Sequence, residues 1–194
     1  MLDLARTAVD AALAAGADYA DARVNRLRQE QLSVRNGAVG EAEASEEFGL
    51  GVRVRRDGCF GFAAAPLGPG DSSALARELA RRAARSALDL APALRAPREL
   101  AGREEHVAEY ETPVEIDPFA VPLKERLDLL REAEASLRGA AETVVREARC
   151  SLRREEQWQA SSEGARIHQV LVRSGAGISS TAADCPATPI ARRT

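Results

Sequence analysis

Hydrophobic and polar residues alternate between Ala17 and Ala64 in the manner of an antiparallel sheet with one solvated face. A period of two is typical of a half-buried strand, because successive side chains point to opposite faces. The pattern predicts a β-meander of four or five antiparallel strands. The apolar positions of the two clearest runs are Ala20, Ala22 and Val24, and Phe48, Leu50, Val52 and Val54.

Two dipeptides inside the meander, Asn36-Gly37 and Asp57-Gly58, predict tight hairpin turns. Both central residues of a type I′ turn need a positive φ, which asparagine, aspartate and glycine adopt most readily. Two-residue loops at these points predict four cross-strand pairs: Val34–Val39, Leu32–Glu41, Val54–Gly61 and Arg53–Phe62.

Apolar residues at helical spacing predict three amphipathic helices. The first runs from Leu2 to Ala15 and stops at Gly16, and the second runs from about Ser72 to Leu88, capped by Asp71 or Ser72. The third begins at Pro122 and ends at Gly139. Helices that cover one face of an antiparallel sheet give an α+β fold of two layers. The predicted core-facing positions are Leu2, Ala5, Val9, Ala12 and Leu13, then Leu75, Leu79, Ala83 and Ala87, then Leu123, Leu127, Leu130 and Leu137.

Changes of composition divide the chain into four segments. Residues 1–90 form an amino-terminal α+β domain, 91–122 a proline- and glutamate-rich connection, 123–178 a second helix-plus-strands unit, and 179–194 an irregular tail. Proline removes backbone donors and fixes φ, so the connection is predicted to be extended and not a packed element. The second unit is predicted to contain strands at Val144–Arg153 and Ile167–Ser174, and a bend at Gly175-Ala176-Gly177.

The second unit resembles the first, since Arg23–Gly37 can be aligned with Arg149–Gly164 if one insertion is allowed. The alignment brings the turn glycines Gly37 and Gly164 together. One interpretation is a repeat of the fold in a second, smaller α/β unit. The other is a chance match between short segments.

Composition and charge exclude several classes of protein. Of 194 residues, 45% are hydrophobic and 29% charged, which is ordinary for a globular protein. A net charge of -3 disfavours a nucleic-acid partner. Without a long apolar run or a leader segment, the sequence predicts a cytoplasmic protein with no membrane partner. Three widely spaced cysteines make neither a disulfide framework nor a metal motif.

The two histidines, His106 and His168, are far apart, and neither has a second histidine at helical spacing. A zinc-binding helix is therefore not predicted. His168 falls in a strand pattern and is interpreted as a sheet-face residue. His106, beside Glu105, is interpreted as a solvated residue.

Other residues with reactive or ligand-binding side chains also have structural interpretations. Ser161–Gly164 is typical of a turn. Cys59 and Cys150 are predicted to be small core groups and not thiolates, and Trp158 is assigned to the core or to an interface. The residues therefore predict no catalytic, cofactor-binding or metal-binding site.

An ordered series of motifs resembles the TldD/PmbA family. The first half carries AGADYADARV at Ala15–Val24, LSVRNG at Leu32–Gly37, GLGVRV at Gly49–Val54 and GFA at Gly61–Ala63. The second half carries SSEG at Ser161–Gly164 and LVRSG at Leu171–Gly175. The resemblance covers nearly all of residues 1 to 180.

The resemblance implies a cytoplasmic zinc metallopeptidase, or its partner subunit, that works as a dimer on unfolded peptides. An older family name refers to modulation of DNA gyrase. The family's zinc motif, His-Glu-x-x-x-His, does not occur in these residues. Zinc is therefore expected only in a carboxy-terminal domain outside this sequence, with no cofactor and no peptidase activity in this chain alone. Cys185 is not assigned to the family's cysteine ligand.

Three functions follow as expectations. The first is the non-catalytic amino-terminal part of a TldD/PmbA-type metallopeptidase, acting as scaffold, dimer contact and substrate-channel wall for an extended peptide. The alternative is a stand-alone peptide- or protein-binding module that pairs with a full-length homologue. Direct binding to gyrase or DNA is the weakest, because the chain is acidic. Exposed strand edges also predict self-association, as a homo-oligomer or with a paired subunit.

Overall fold

The computed structural model describes residues 1–68, 70, 73–90, 101, 104–138 and 143–182. Within them, three helices accompany a mixed six-stranded sheet of strand order β3-β2-β1-β5-β6-β4. The fold is α+β, as predicted. The helices are α1 (Leu2–Ala14), α2 (Ser73–Leu90) and α3 (Leu123–Ala135). The strands are β1 (Tyr19–Arg35), β2 (Ala38–Arg56), β3 (Cys59–Pro66), β4 (Val107–Glu111), β5 (Thr143–Ser161) and β6 (Arg166–Ala182).

The chain divides into two compact units, each built from several segments. Unit 1 comprises Met1–Arg28, Ser45–Val114 and Arg153–Val172, and unit 2 comprises Gln29–Ala44, Glu115–Leu152 and Arg173–Thr194. The long strands β1, β2, β5 and β6 contribute residues to both units. The four segments predicted from composition, and the internal repeat, stay predictions.

In unit 1, α1 and α2 cover one face of the sheet through small side chains. Because alanine has no bulk beyond Cβ, the helix backbones approach the strands closely. The sheet presents the alternating positions that the sequence predicted, and together these residues form one core. The buried helix residues are Ala5, Ala8, Val9, Ala12, Ala76, Leu79, Ala80, Ala83, Ala84 and Ala87, and the central sheet residues are Ala20, Ala22, Val24, Leu50, Val52 and Val54.

Both predicted hairpin turns are confirmed. Asn36 and Asp57 have positive φ angles of 49° and 52°, and the glycines that follow them have 82° and 79°. The second hairpin has the predicted register, with Val54 opposite Gly61 and Arg53 opposite Phe62. The two pairs predicted for the first hairpin stay predictions.

The meander contains three strands and not four or five. β1 is 17 residues long and β2 is 19, so each continues through a mostly polar stretch. Those stretches, 26–31 and 41–47, contain neither glycine nor proline. Nothing in their backbones interrupts strand pairing, so polarity alone does not end the strands.

Asp21 departs from the predicted alternation, because it belongs to the polar set yet is only 4% exposed. Its Oδ2 accepts a hydrogen bond of 2.7 Å from Nε of Arg53. The ion pair satisfies a carboxylate that burial alone would destabilise.

The predicted connection contains a strand that composition did not reveal. β4 pairs in parallel with the start of β6, with Val107 opposite Arg166 and Glu111 opposite Val170. The prediction of an unpacked connection is wrong for this run. The run itself contains no proline, so every residue keeps a backbone donor for pairing.

In unit 2, α3 packs on a small core of Leu32, Val34, Leu130 and Ala148, with Cys150 half-buried beside it. Glu134 of α3 is fully buried, and its Oε1 accepts a hydrogen bond of 2.9 Å from Nε of Arg146. A second ion pair joins Arg126 to Glu30 at 2.6 Å. Charged pairs therefore supplement a core with few large apolar residues.

Some predicted core positions are wrong because the stripe lies elsewhere on the helix. Leu13 is 41% exposed, and Ala8 takes its place with Ala5, Val9 and Ala12 at helical spacing. Leu123 is 48% exposed. α3 ends at Ala135, so Leu137 lies beyond the helix.

The bend predicted at Gly175–Gly177 is also wrong, because these residues lie within β6. Neither glycine has a positive φ, so the chain stays extended there. β6 continues to Ala182 and includes the first residues of the predicted tail. The predicted cap at Asp71 or Ser72, the helix end at Gly139 and residues 183–194 lie outside the described residues.

Candidate functional site

His168 lies on a sheet face, as predicted, and has two carboxylate partners. Its Nδ1 lies 3.1 Å from Oε1 of Glu109 on β4, and its Nε2 lies 3.1 Å from Oε1 of Glu156 on β5. The ring stacks on Trp158, with centroids 5.2 Å apart. Burial lowers the pKa of His168, but hydrogen bonds to both glutamates outweigh it, so the net pKa is raised. The arrangement ties three strands of unit 1 together.

The other histidine and the two described cysteines also have structural explanations. His106 is exposed, and its carbonyl oxygen accepts a hydrogen bond from the backbone of Arg166. Cys59 is buried, and burial raises the pKa of the half-buried Cys150 thiol. The Cys150 thiol therefore lacks the depressed pKa that a nucleophile needs.

Ser161–Gly164 is a turn, as predicted, and Gly164 has a φ of 87°. Oγ of Ser161 accepts hydrogen bonds from the backbone of Glu163 and Ala165, and Oγ of Ser162 accepts one from Ala20. Both hydroxyl oxygens are therefore occupied by hydrogen bonds from backbone N–H groups. Their bonding gives the serines a structural role.

Among the described residues, no group of three or more histidine, cysteine, aspartate or glutamate side chains could hold a metal ion. The residues that the structure describes therefore do not fit the metal that a metallopeptidase relative would carry. No helix in the described part of the chain is long and apolar enough to cross a membrane.

Unit 2 has a feature that the sequence did not reveal, an exposed edge along the second half of β6. We call Arg173–Ala182 the β6 edge. β5 and β4 are the sheet neighbours of β6, and β4 pairs only as far as Val170. No described strand pairs with the outer side of the β6 edge, and all of its residues are exposed. Its outward backbone donors and acceptors are available to another strand.

An apolar groove lies between α3 and the β6 edge, with a volume of about 590 Å³. Leu129 on α3 and Ile178 on β6 line it, and they are 67% and 57% exposed. From β5, Ala148, Cys150 and Leu152 also line it, together with the charged Arg149. Edge and groove together form a surface that combines backbone hydrogen bonding with apolar burial.

The two outer strands of unit 2 differ in charge. The β6 edge carries one charged residue, Arg173, at its start, whereas the segment of β2 in unit 2 carries Glu41 and Glu43. Charged side chains protect an edge strand from pairing with another chain. The β6 edge is therefore the less protected of the two.

The fold and this surface define an α+β sheet protein with an exposed edge strand. A family model described as PmbA/TldA metallopeptidase domain 1 matches residues 20–91, and one described as the PmbA/TldA metallopeptidase central domain matches residues 116–192. The two matches together span more than half of the chain. The chain belongs to the TldD/PmbA family.

Solved structures share this fold. A candidate modulator of a DNA gyrase from Thermotoga maritima MSB8 has a TM-score of 0.70 and 15% identity, covering 94% of this chain and 40% of that one. A similar protein from Bacteroides thetaiotaomicron VPI-5482 has a TM-score of 0.64 and 13% identity, covering 91% of this chain and 39% of that one. TldE from Thermococcus kodakarensis has a TM-score of 0.62 and 17% identity, and the match covers 94% of this chain and 39% of that one.

The chain thus spans 39–40% of the length of these solved structures. At such low identities the likeness shows the fold alone. The curated proteins offered no significant match.

Proposed function

We propose that this chain is the non-catalytic amino-terminal part of a cytoplasmic TldD/PmbA-type metallopeptidase. Its role is scaffold, dimer contact and substrate-channel wall in the proteolysis of unfolded peptides. The matches to domain 1 and to the central domain support this placement, because both descriptions name parts of a metallopeptidase. The catalytic metal and its ligands belong to another part of the assembly.

The β6 edge is the observation that carries the proposal. Backbone donors and acceptors of an edge strand bind a second strand with little regard to its sequence. This property suits both a subunit contact and an unfolded peptide. The neighbouring groove adds burial of Leu129 and Ile178, which are otherwise exposed apolar side chains.

Light scattering of the purified chain over a wide range of concentration tests the contact. The wild type is expected to form a dimer as concentration rises. Ile178→Lys is expected to remain monomeric, because it places a charge beside the β6 edge and in the apolar groove.

Val39→Lys is the matched control, since Val39 is 44% exposed and lies on the acidic outer strand of unit 2. This variant is expected to associate like the wild type. A wild type that stays monomeric at high concentration contradicts the proposal. If Ile178→Lys and Val39→Lys lose association equally, the effect comes from the added charge in general. That outcome also contradicts the proposal.

A stand-alone module that pairs with a full-length homologue is the second candidate, because the chain spans only part of its structural relatives. Co-expression with a full-length TldD/PmbA-type subunit, followed by purification through a tag on that subunit, tests pairing. Wild-type chain is expected in the complex, and the Ile178→Lys variant is expected to be lost from it. Metal-dependent hydrolysis of an unfolded peptide by the chain alone would contradict the non-catalytic role.

A further inference from the structure

β4 buries little apolar surface against the sheet. It pairs with β6 from Val107–Arg166 to Glu111–Val170. Every residue of β4 is exposed except Ala108, which is half-buried. Segments with few buried apolar contacts open at low cost in free energy. The attachment of β4 therefore depends on backbone hydrogen bonds and on polar side chains.

His168 of β6 connects β4 to β5 through both of its ring nitrogens. Glu109, directly opposite it on β4, lies 3.1 Å from Nδ1, and Glu156 on β5 lies 3.1 Å from Nε2. An ionised carboxylate can only accept a hydrogen bond, so both contacts are hydrogen bonds only when both ring nitrogens carry protons. A neutral ring has one proton, and its bare nitrogen then faces a carboxylate. The two contacts together therefore require the charged ring.

The two carboxylates differ in exposure, which decides which contact a neutral His168 keeps. The side chain of Glu109 is 82% exposed, whereas that of Glu156 is 25% exposed. Water readily replaces the histidine at Glu109, but Glu156 would lose a partner in a poorly hydrated position. Trp158, also on β5, stacks on the ring and keeps it beside that strand. The neutral ring is therefore expected to donate from Nε2 to Glu156 and to lose Glu109.

The other charged groups around His168 belong to classes that keep their charge near neutral pH. Alternate residues of a strand share a face, so these neighbours are Arg166 on β6, Glu111 on β4 and Arg154 on β5. Arg166 also pairs with Glu105 at 3.4 Å. Histidine is the side chain of this set whose charge ordinarily changes between about pH 5 and pH 8. A change of pH in that range therefore acts on this cluster through His168.

We propose that His168 is a pH-sensitive switch that holds β4 on β6 and releases it as pH rises. The charged ring binds Glu109 and Glu156 together, and loss of one proton frees Glu109 and the strand that carries it. Release uncovers the backbone of β6 from Arg166 to Val170, which can then pair with another strand. Burial lowers the pKa of His168 and the two glutamates raise it by more, and this net rise agrees in sign with a charged ring in the closed form.

This switch lies within unit 1 and needs no second chain. It therefore goes beyond the proposed function and does not depend on the β6 edge being a subunit contact. An ion pair with an exposed partner contributes little to stability. The equilibrium constant for detaching β4 is accordingly expected to change by about threefold between the charged and the neutral ring.

Hydrogen exchange of single backbone amides, measured by NMR between about pH 5.5 and pH 8.5, tests the switch. Two amides report on β4, because Thr112 N–H donates to the Val170 carbonyl at 2.9 Å and Arg166 N–H donates to that of His106 at 2.8 Å. After correction for the intrinsic exchange rate, their protection in wild type is expected to fall about threefold over this range. In His168→Gln it is expected to be independent of pH. Protection that does not change with pH in wild type overturns the proposal.

Glu109→Gln and Glu156→Gln are matched variants, because each removes one carboxylate from the ring and only Glu109 lies on β4. Glu109→Gln is expected to abolish the pH dependence of the two reporting amides. Glu156→Gln is expected to keep it. Equal effects of the two variants overturn the proposal, since His168 would then stabilise the sheet as a whole and not the attachment of β4.

Nitrogen NMR of the isotope-labelled His168 ring gives a second readout, the position of the remaining proton above the folded pKa. The proton is expected on Nε2, facing Glu156. A proton on Nδ1 overturns the proposal, because Glu109 would then keep its hydrogen bond. His106→Gln removes the other histidine and is expected to leave all of these results unchanged. If it abolishes the pH dependence, His106 is responsible and the proposal is wrong.

Discussion

Gly61 on β3 is the position where the packing of unit 1 leaves the least room. A Cβ added there would lie 2.0 Å from the carbonyl oxygen of Ala83 and 2.6 Å from the backbone nitrogen of Ala87. Both atoms belong to the backbone of α2, which cannot rotate away as a side chain can. Substitution by alanine therefore requires α2 to move off the sheet.

The displacement sets the magnitude of the effect. Contacts of a Cβ under 3.0 Å are essentially never seen, so the 2.0 Å contact requires a shift of at least about 1 Å. That shift would loosen the contacts of every buried residue of α2, including Leu79. We expect Gly61→Ala to lower the free energy of unfolding by about 3 kcal/mol, the upper end of the usual cost of overpacking.

Urea unfolding followed by circular dichroism measures this loss. Gly177→Ala is the matched control, because a Cβ there meets no atom within 4 Å and the φ is not positive. The control is expected to change the free energy of unfolding by less than about 1 kcal/mol. If Gly61→Ala and wild type unfold at the same urea concentration, the close contact between α2 and β3 is refuted.

Three further predictions concern charge and turn geometry in unit 1. The raised pKa of His168 means that its contribution to stability is complete below about pH 6.5 and is lost as pH rises through the folded pKa. The free energy of unfolding of the wild type relative to His168→Gln should fall as pH rises through the folded pKa. An NMR titration midpoint for His168 at or below the ordinary pKa of a histidine would contradict this. Burial, followed by the charge of Asp21, raises the pKa of Tyr19, so Asp21→Asn should lower it in an ultraviolet titration; an unchanged midpoint counts against the contact. Asp57→Val should cost about 1–3 kcal/mol in urea unfolding, because a β-branched residue resists a φ of 52°, whereas Asp57→Gly should cost little.

Short-range chemistry made several features predictable from the sequence. Asn36-Gly37 and Asp57-Gly58 fix their turns locally, because few other residue pairs adopt two successive positive φ angles. The alternation through Leu50 likewise identified the buried face of β2, and helical spacing identified the buried stripe of α2. The ordered motifs also indicated the family before any coordinates were considered.

Tertiary structure decided what depends on distant partners. Asp21 is buried because Arg53, on another strand, neutralises it, and the alternation pattern contains no information about that partner. β4 becomes a strand because β6 offers it a parallel neighbour, not because its own composition favours one. The unpaired β6 edge likewise follows from where β4 stops pairing. Hydrophobic pattern and turn chemistry thus determined most of the elements, whereas pairing between distant segments determined β4 and which edges, grooves and charges are left available for binding.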